Sequence, residues 1–160
     1  MIDWQQLFLF ELILMRMSGF ILFNPLLGRN NLPGTVKAGL IMVLSVSVFG
    51  LEPALTVEAP SSIIVFALIM CKELGVGFVL GFVMRLFFMV VQVGGEIIDT
   101  QMGITMAQIY DAGNQSNMTV SASLLNILLV LNFFGENGHY TLMRILLGSA
   151  EILPFGTAVL

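Results

Sequence analysis

Charged side chains break this apolar chain so often that few of its helices are long enough, run by run, to stand alone in lipid. A bilayer core about 30 Å thick needs about 20 consecutive apolar residues of helix. The charge-free runs cover residues 17–28, 38–51, 59–71, 74–84 and 86–95, and each falls short of that length. Only the run over 112–135 exceeds it, and its first third is polar. A soluble domain is excluded just as firmly. The chain is 58% hydrophobic and 10% charged, with a mean hydropathy of +0.99, whereas soluble domains carry about 25% charged residues. Helices this apolar and this interrupted are expected to pack on other protein helices, as membrane-associated hairpins in a larger assembly.

The pattern predicts a first helix over 4–27, ending near Asn24-Pro25, and a turn-rich loop over 28–37. Further helices are expected over 38–51, from 61 to about 95, over 120–135, and over 140–153 before Pro154. No strand alternation stands out. The expected fold is all-α, roughly five to six helices in a single helical domain over 1–160. The N-terminus has no basic region before its first apolar run, which argues against a removed signal peptide.

Several chemistries fail on inventory. A net charge of -4 with only 6 basic residues offers no basic patch, so nucleic acid is not an expected partner. Cys71 is the sole cysteine, so an internal disulfide or a cysteine-based metal site is ruled out, and one histidine, His139, cannot build a multi-histidine site. There is no phosphate-binding Gly-Lys-Ser/Thr loop, no HExxH pattern and no recognisable Ser/His/Asp frame. The chain is read as a non-enzyme without a metal or cofactor.

What remains is a polar stretch over 94–119 between two apolar arms, carrying Glu96, Asp99, Gln101, Gln108, Asp111, Asn114, Gln115 and Asn117. Charges at bilayer depth are costly, and where they persist they face protein or water and mark function. If residues 75–103 form one helix, Gly77, Gly81, Arg85, Phe88, Gln92, Glu96, Asp99 and Gly103 fall within one arc of about 100°. Phe82, Met89, Val93 and Ile97 fall outside it. Gly77 and Gly81 form a small-xxx-small pair that lets another backbone approach closely. The arc reads either as a seam for packing between subunits or, in its lower part, as the lining of an aqueous path.

The segment that follows can neither span lipid nor build a core, and a loop is expected there, with Met106, Tyr110, Asp111, Asn114 and Asn117 as its candidate functional residues. Non-helical backbone at membrane depth is tolerated only inside protein or along a cavity, so the loop is either a plug or an ordinary exposed connection. A different reading takes Glu96 and Asp99 as paired carboxylates of a small ion or solute transporter.

An ordered set of motifs runs through the chain: Arg16-Met17-Ser18-Gly19-Phe20, Asn24-Pro25-Leu26-Leu27-Gly28, Leu32-Pro33, Glu73-Leu74-Gly75-Val76-Gly77-Phe78, Gly81-Phe82, Gly94-Gly95-Glu96-Ile97-Ile98-Asp99 and Gln101-Met102-Gly103. In this set the chain resembles the FliR/SctT family of flagellar and virulence type III export-apparatus proteins. The resemblance implies a subunit of the flagellar export gate in the bacterial inner membrane and flagellar basal body. One copy there joins several copies of FliP and FliQ, and then FlhB. It further implies helices closed around a central channel for unfolded flagellar export substrates, held largely above the plane where hydropathy would place them. A loop after the Gln-Met-Gly motif plugs that channel, which maps onto 104–119, centred on Met106, Tyr110, Asp111 and Asn114. Members of the family usually continue well beyond the point at which this chain stops, Leu160.

Overall fold

The computed structural model describes residues 4–28, 32–51, 62–104 and 118–156, together with the backbone of 108–111 and 116–117. Among these residues the chain forms five helices and one short hairpin: α1 (Trp4–Phe23), α2 (Gly34–Leu51), α3 (Ile63–Met102), β1 (Gln108–Asp111), β2 (Ser116–Thr119), α4 (Val120–Gly135) and α5 (Gly138–Ile152). The fold is all-α, as the sequence predicts. α1 stops at Phe23 because Pro25 has no N–H to continue the ladder, and the Asn24 side chain takes over the next donors, accepting from Leu26 N at 2.9 Å and Leu27 N at 3.3 Å. α2 starts earlier than expected, at Gly34, since the Pro33 carbonyl already accepts from Val36 N and Lys37 N.

α1 is the centre of the packing. Phe8, Leu9, Leu12, Ile13, Met17, Phe20 and Ile21 are all buried, on an arc of about 220° at 100° per residue. An apolar face this wide is covered by protein, and α1 is flanked by α2 and, over a longer seam, by α3. Val48 of α2, Met70 of α3, Leu142, Leu146 and Ala150 of α5, and Phe155 complete the core. The α1–α3 seam is close at the backbone: a Cβ added at Gly77 would collide with the Arg16 carbonyl, and one added at Gly81 would lie 2.8 Å from the Phe20 carbonyl. The neighbour that uses the small-xxx-small pair is therefore α1 of the same chain.

Among the described residues three helices, α1, α2 and α3, are long and apolar enough to cross a membrane, and α4 with α5 forms a further apolar pair bent by 70°. Counting charge-free runs understates these helices. Arg16 and Glu73, two of the charges that break the runs, are fully buried against each other, so neither has to meet lipid. α3, with 40 residues, is about 60 Å long at 1.5 Å per residue, roughly twice the thickness of a hydrocarbon core.

The segment expected to be a strand-free loop contains an antiparallel hairpin. Gln108 pairs with Thr119, Ile109 with Met118, Tyr110 with Asn117 and Asp111 with Ser116. Strands of four residues lie at the lower limit at which alternation registers in a sequence. The pairing gives backbone groups internal partners, which a segment between two apolar helices needs.

Candidate functional site

Two polar clusters hold this helical frame together, one at each end of the α3 packing. The first is at the root of the hairpin. Asp99, in the last turn of α3, is 1% exposed. Its Oδ2 accepts from Ser121 N at 2.8 Å and its Oδ1 from Ser121 Oγ at 2.5 Å. Ser121 lies in the first turn of α4, where backbone N–H groups lack helical partners and the helix dipole favours an anion. The Thr119 that precedes α4 supplies no side-chain cap to its own helix; the carboxylate comes from α3 instead.

One turn earlier, Gly95 is what allows this. An added Cβ there would collide with the backbone of Ala122, so Gly95 and Asp99 together bring the start of α4 onto α3. α3 then ends at Gly103, which takes a left-handed conformation (φ 72°), and Ile104 N donates back to the Asp99 carbonyl at 3.0 Å. Met118, buried, and Thr119 seat the base of the hairpin, and β2 packs on α3 and α4.

The remaining polar residues of the arc do not converge on one point. Gln92 Nε2 donates to Glu96 Oε1 at 3.3 Å, with both side chains half-buried. Asp99 is committed to Ser121 on both oxygens, so Glu96 and Asp99 have separate partners and do not share a site. Arg85 is exposed and makes no hydrogen bond or ion pair among the described residues. Of the loop residues, Tyr110, Asp111 and Asn117 lie on the paired strands of the hairpin, while Met106 and Asn114 fall outside the described residues. No group of three or more His, Cys, Asp or Glu side chains stands close enough to hold a metal among the described residues.

The second cluster, centred on Arg16, escaped the sequence reading as a site. Arg16 Nε and Nη2 both lie 2.7 Å from Glu73 Oε2. Its Nη1 donates to the Ser149 carbonyl at 3.2 Å and its Nη2 to the Leu153 carbonyl at 3.0 Å. The guanidinium stacks over the Phe155 ring, 4.1 Å from its centroid, and Gly156 N donates to Glu73 Oε1 at 3.0 Å. A single buried cation thus ties α1, α3, the end of α5 and the segment after it. Geometry of this quality is what a buried ion pair requires to offset its desolvation. The signal was present in the sequence: Arg16 and Glu73 are opposite charges that each interrupt an apolar run, and neither position can be left unpaired in a core.

The description "Bacterial export proteins, family 1" matches residues 7–160. The chain is 32% identical over 156 residues to the flagellar biosynthetic protein FliR of Escherichia coli (strain K12), covering 97% of this chain and 58% of that protein. It is 28% identical over 137 residues to the FliR of Bacillus subtilis (strain 168), covering 84% and 51%. The Yop proteins translocation protein T of Yersinia pestis is 27% identical over 143 residues, covering 88% and 54%. The chain therefore spans a little over half the length of the curated relatives it matches.

Proposed function

The chain belongs to the bacterial export proteins, family 1, and we propose that it is a subunit of the flagellar type III protein export gate in the bacterial inner membrane. In this reading it assembles with FliP, FliQ and FlhB type subunits in the flagellar basal body and forms part of a channel for unfolded flagellar export substrates. The hairpin segment over 104–119 restricts the pore at rest and moves when substrate passes. The chain works as a conduit wall and not as a catalyst, and the driving energy comes from its partners.

One observation carries this reading: a hairpin between two apolar helices, β1 paired with β2, rooted by Asp99 at the start of α4. A solvated connection needs no such root. A segment that must hold one position while remaining separable from the helix bundle does. The names of the relatives support the setting, since flagellar biosynthesis and protein translocation are what those proteins are named for.

The subunit claim is tested by co-expressing the full chain with FliP and FliQ type partners and measuring the mass of the native complex. A hetero-oligomer containing this chain is the expected result. A chain that purifies intact as a monomer or homo-oligomer and joins no partner contradicts the proposal.

A further inference from the structure

The hairpin is joined unequally to the two helices it lies between. On the α3 side residues 103–107 separate Met102 from β1, and the first of them, Gly103, takes the left-handed conformation that ends the helix. On the α4 side nothing intervenes: β2 ends at Thr119 and α4 begins at Val120. A strand that runs into a helix without a connecting residue cannot travel far unless the first turn of that helix travels with it. Whatever holds the first turn of α4 therefore holds the hairpin.

That turn is held at two adjacent points, both on α3. Ser121 gives its backbone N–H and its hydroxyl to the two oxygens of Asp99, at 2.8 and 2.5 Å. Ala122, fully buried, lies so close to Gly95 that no side chain fits between them. Beyond Ala122 no residue of α4 is buried, and Leu124, Ile127, Leu128 and Leu131 are exposed. We infer that the Asp99–Ser121 contact is the latch of the hairpin. Intact, it keeps the hairpin in its resting position; broken, it lets the first turn of α4 leave Gly95 and the hairpin move with it. Asp99 is a positioning residue in this role. The inference rests on reading the hairpin as the closure of an export channel, and it adds what holds that closure shut.

The test is the ionic conductance of the full chain assembled with its partner subunits, native and as Ser121→Ala, Asp99→Ala and Gly95→Ala variants in the same membrane. Ser121→Ala removes one of the two hydrogen bonds and Asp99→Ala removes both. Gly95→Ala presses a methyl against the Ala122 backbone and loosens the same turn sterically. Each is expected to assemble and to leak, most strongly for Asp99→Ala. The expected rise is roughly 2- to 30-fold, the shift in equilibrium that follows loss of a helix cap. Val120→Ala, at an exposed neighbouring position, should leave the conductance unchanged. In a chain already lacking residues 106–117, Asp99→Ala should add no further leak, because the latch has nothing left to hold.

Further leak from Asp99→Ala in the shortened chain assigns the residue to the channel wall and overturns the inference. A Ser121→Ala chain that fails to assemble makes the contact a support of the fold and overturns it too. If the native chain joins no partner, or the shortened complex itself stays tight, the closure reading falls and takes this inference with it. If the shortened complex leaks while Ser121→Ala and Asp99→Ala stay tight, this inference alone falls.

Discussion

The two halves of α3 live in different surroundings. From Met70 to Gly81 its buried positions are all spoken for by this chain: Glu73 is paired with Arg16, and Gly77 and Gly81 lie against the α1 backbone. Beyond Gly81, one side meets α4, but Phe87, Met89 and Val90 are exposed, Phe87 and Val90 to about 70%, and Arg85 has no partner among the described residues. The first half is anchored on one face, to α1 through Glu73, Gly77 and Gly81, while Ile63, Ile64, Leu68 and Val79 on its other faces stay exposed; the second is anchored towards its tip, where Gly95 and Asp99 fix α4. The contrast separates residues that set the fold of the protomer from residues that its surroundings must complete.

The comparison breaks most visibly at Glu73. Glu73→Ala leaves the Arg16 cation buried without its anion, and losing one partner of a buried pair costs about 3–5 kcal/mol. A large drop in the thermal unfolding midpoint of the purified chain in detergent is expected, and a shift no larger than that of an exposed substitution would show that the clasp is not the centre of the fold. Gly77→Ala comes next. Its methyl must displace the α1 backbone at Arg16, and overpacking of this kind costs roughly 1–3 kcal/mol; the same substitution at Gly75, which has open space around it, serves as the control and should be close to neutral.

Asp99→Ala sharpens the other end. Loss of a helix cap costs about 0.5–2 kcal/mol, and the loss should be local, read as faster amide exchange over 116–122 with little change in α1. Uniform destabilisation of the chain would instead make Asp99 part of the core. Arg85→Met should have the smallest effect on the protomer, within about 0.5 kcal/mol as for exposed positions generally, while lowering the yield of the hetero-oligomer. An unchanged yield would mean that Arg85 meets no neighbouring protein.

Much of the frame is legible in the sequence. The bounds of α4 follow from the polar residues before Val120 and from Gly135. α3 runs on past residue 95, where its apolar stretch ends, and this is the case in which the polar arc from Gly77 to Gly103 keeps helical register. What periodicity cannot supply is the identity of a partner. Gly77 and Gly81 announce a close approach without saying that α1 makes it. Arg16 and Glu73 stand 57 residues apart, and only the fold brings them together. Asp99 reads as a charge in need of company, but its role as the cap of α4 depends on Gly95 having drawn Ala122 alongside. The hairpin stayed hidden because each strand is four residues long and its pairing is the only thing that distinguishes it from a loop.

The claim that the rooted hairpin closes a conduit is tested most directly by ion conductance. The full chain lacking residues 106–117, assembled with its partner subunits, is compared with the intact complex in the same membrane. A leak present in the shortened complex and absent from the intact one is the predicted result; equal, low conductance in both would contradict it.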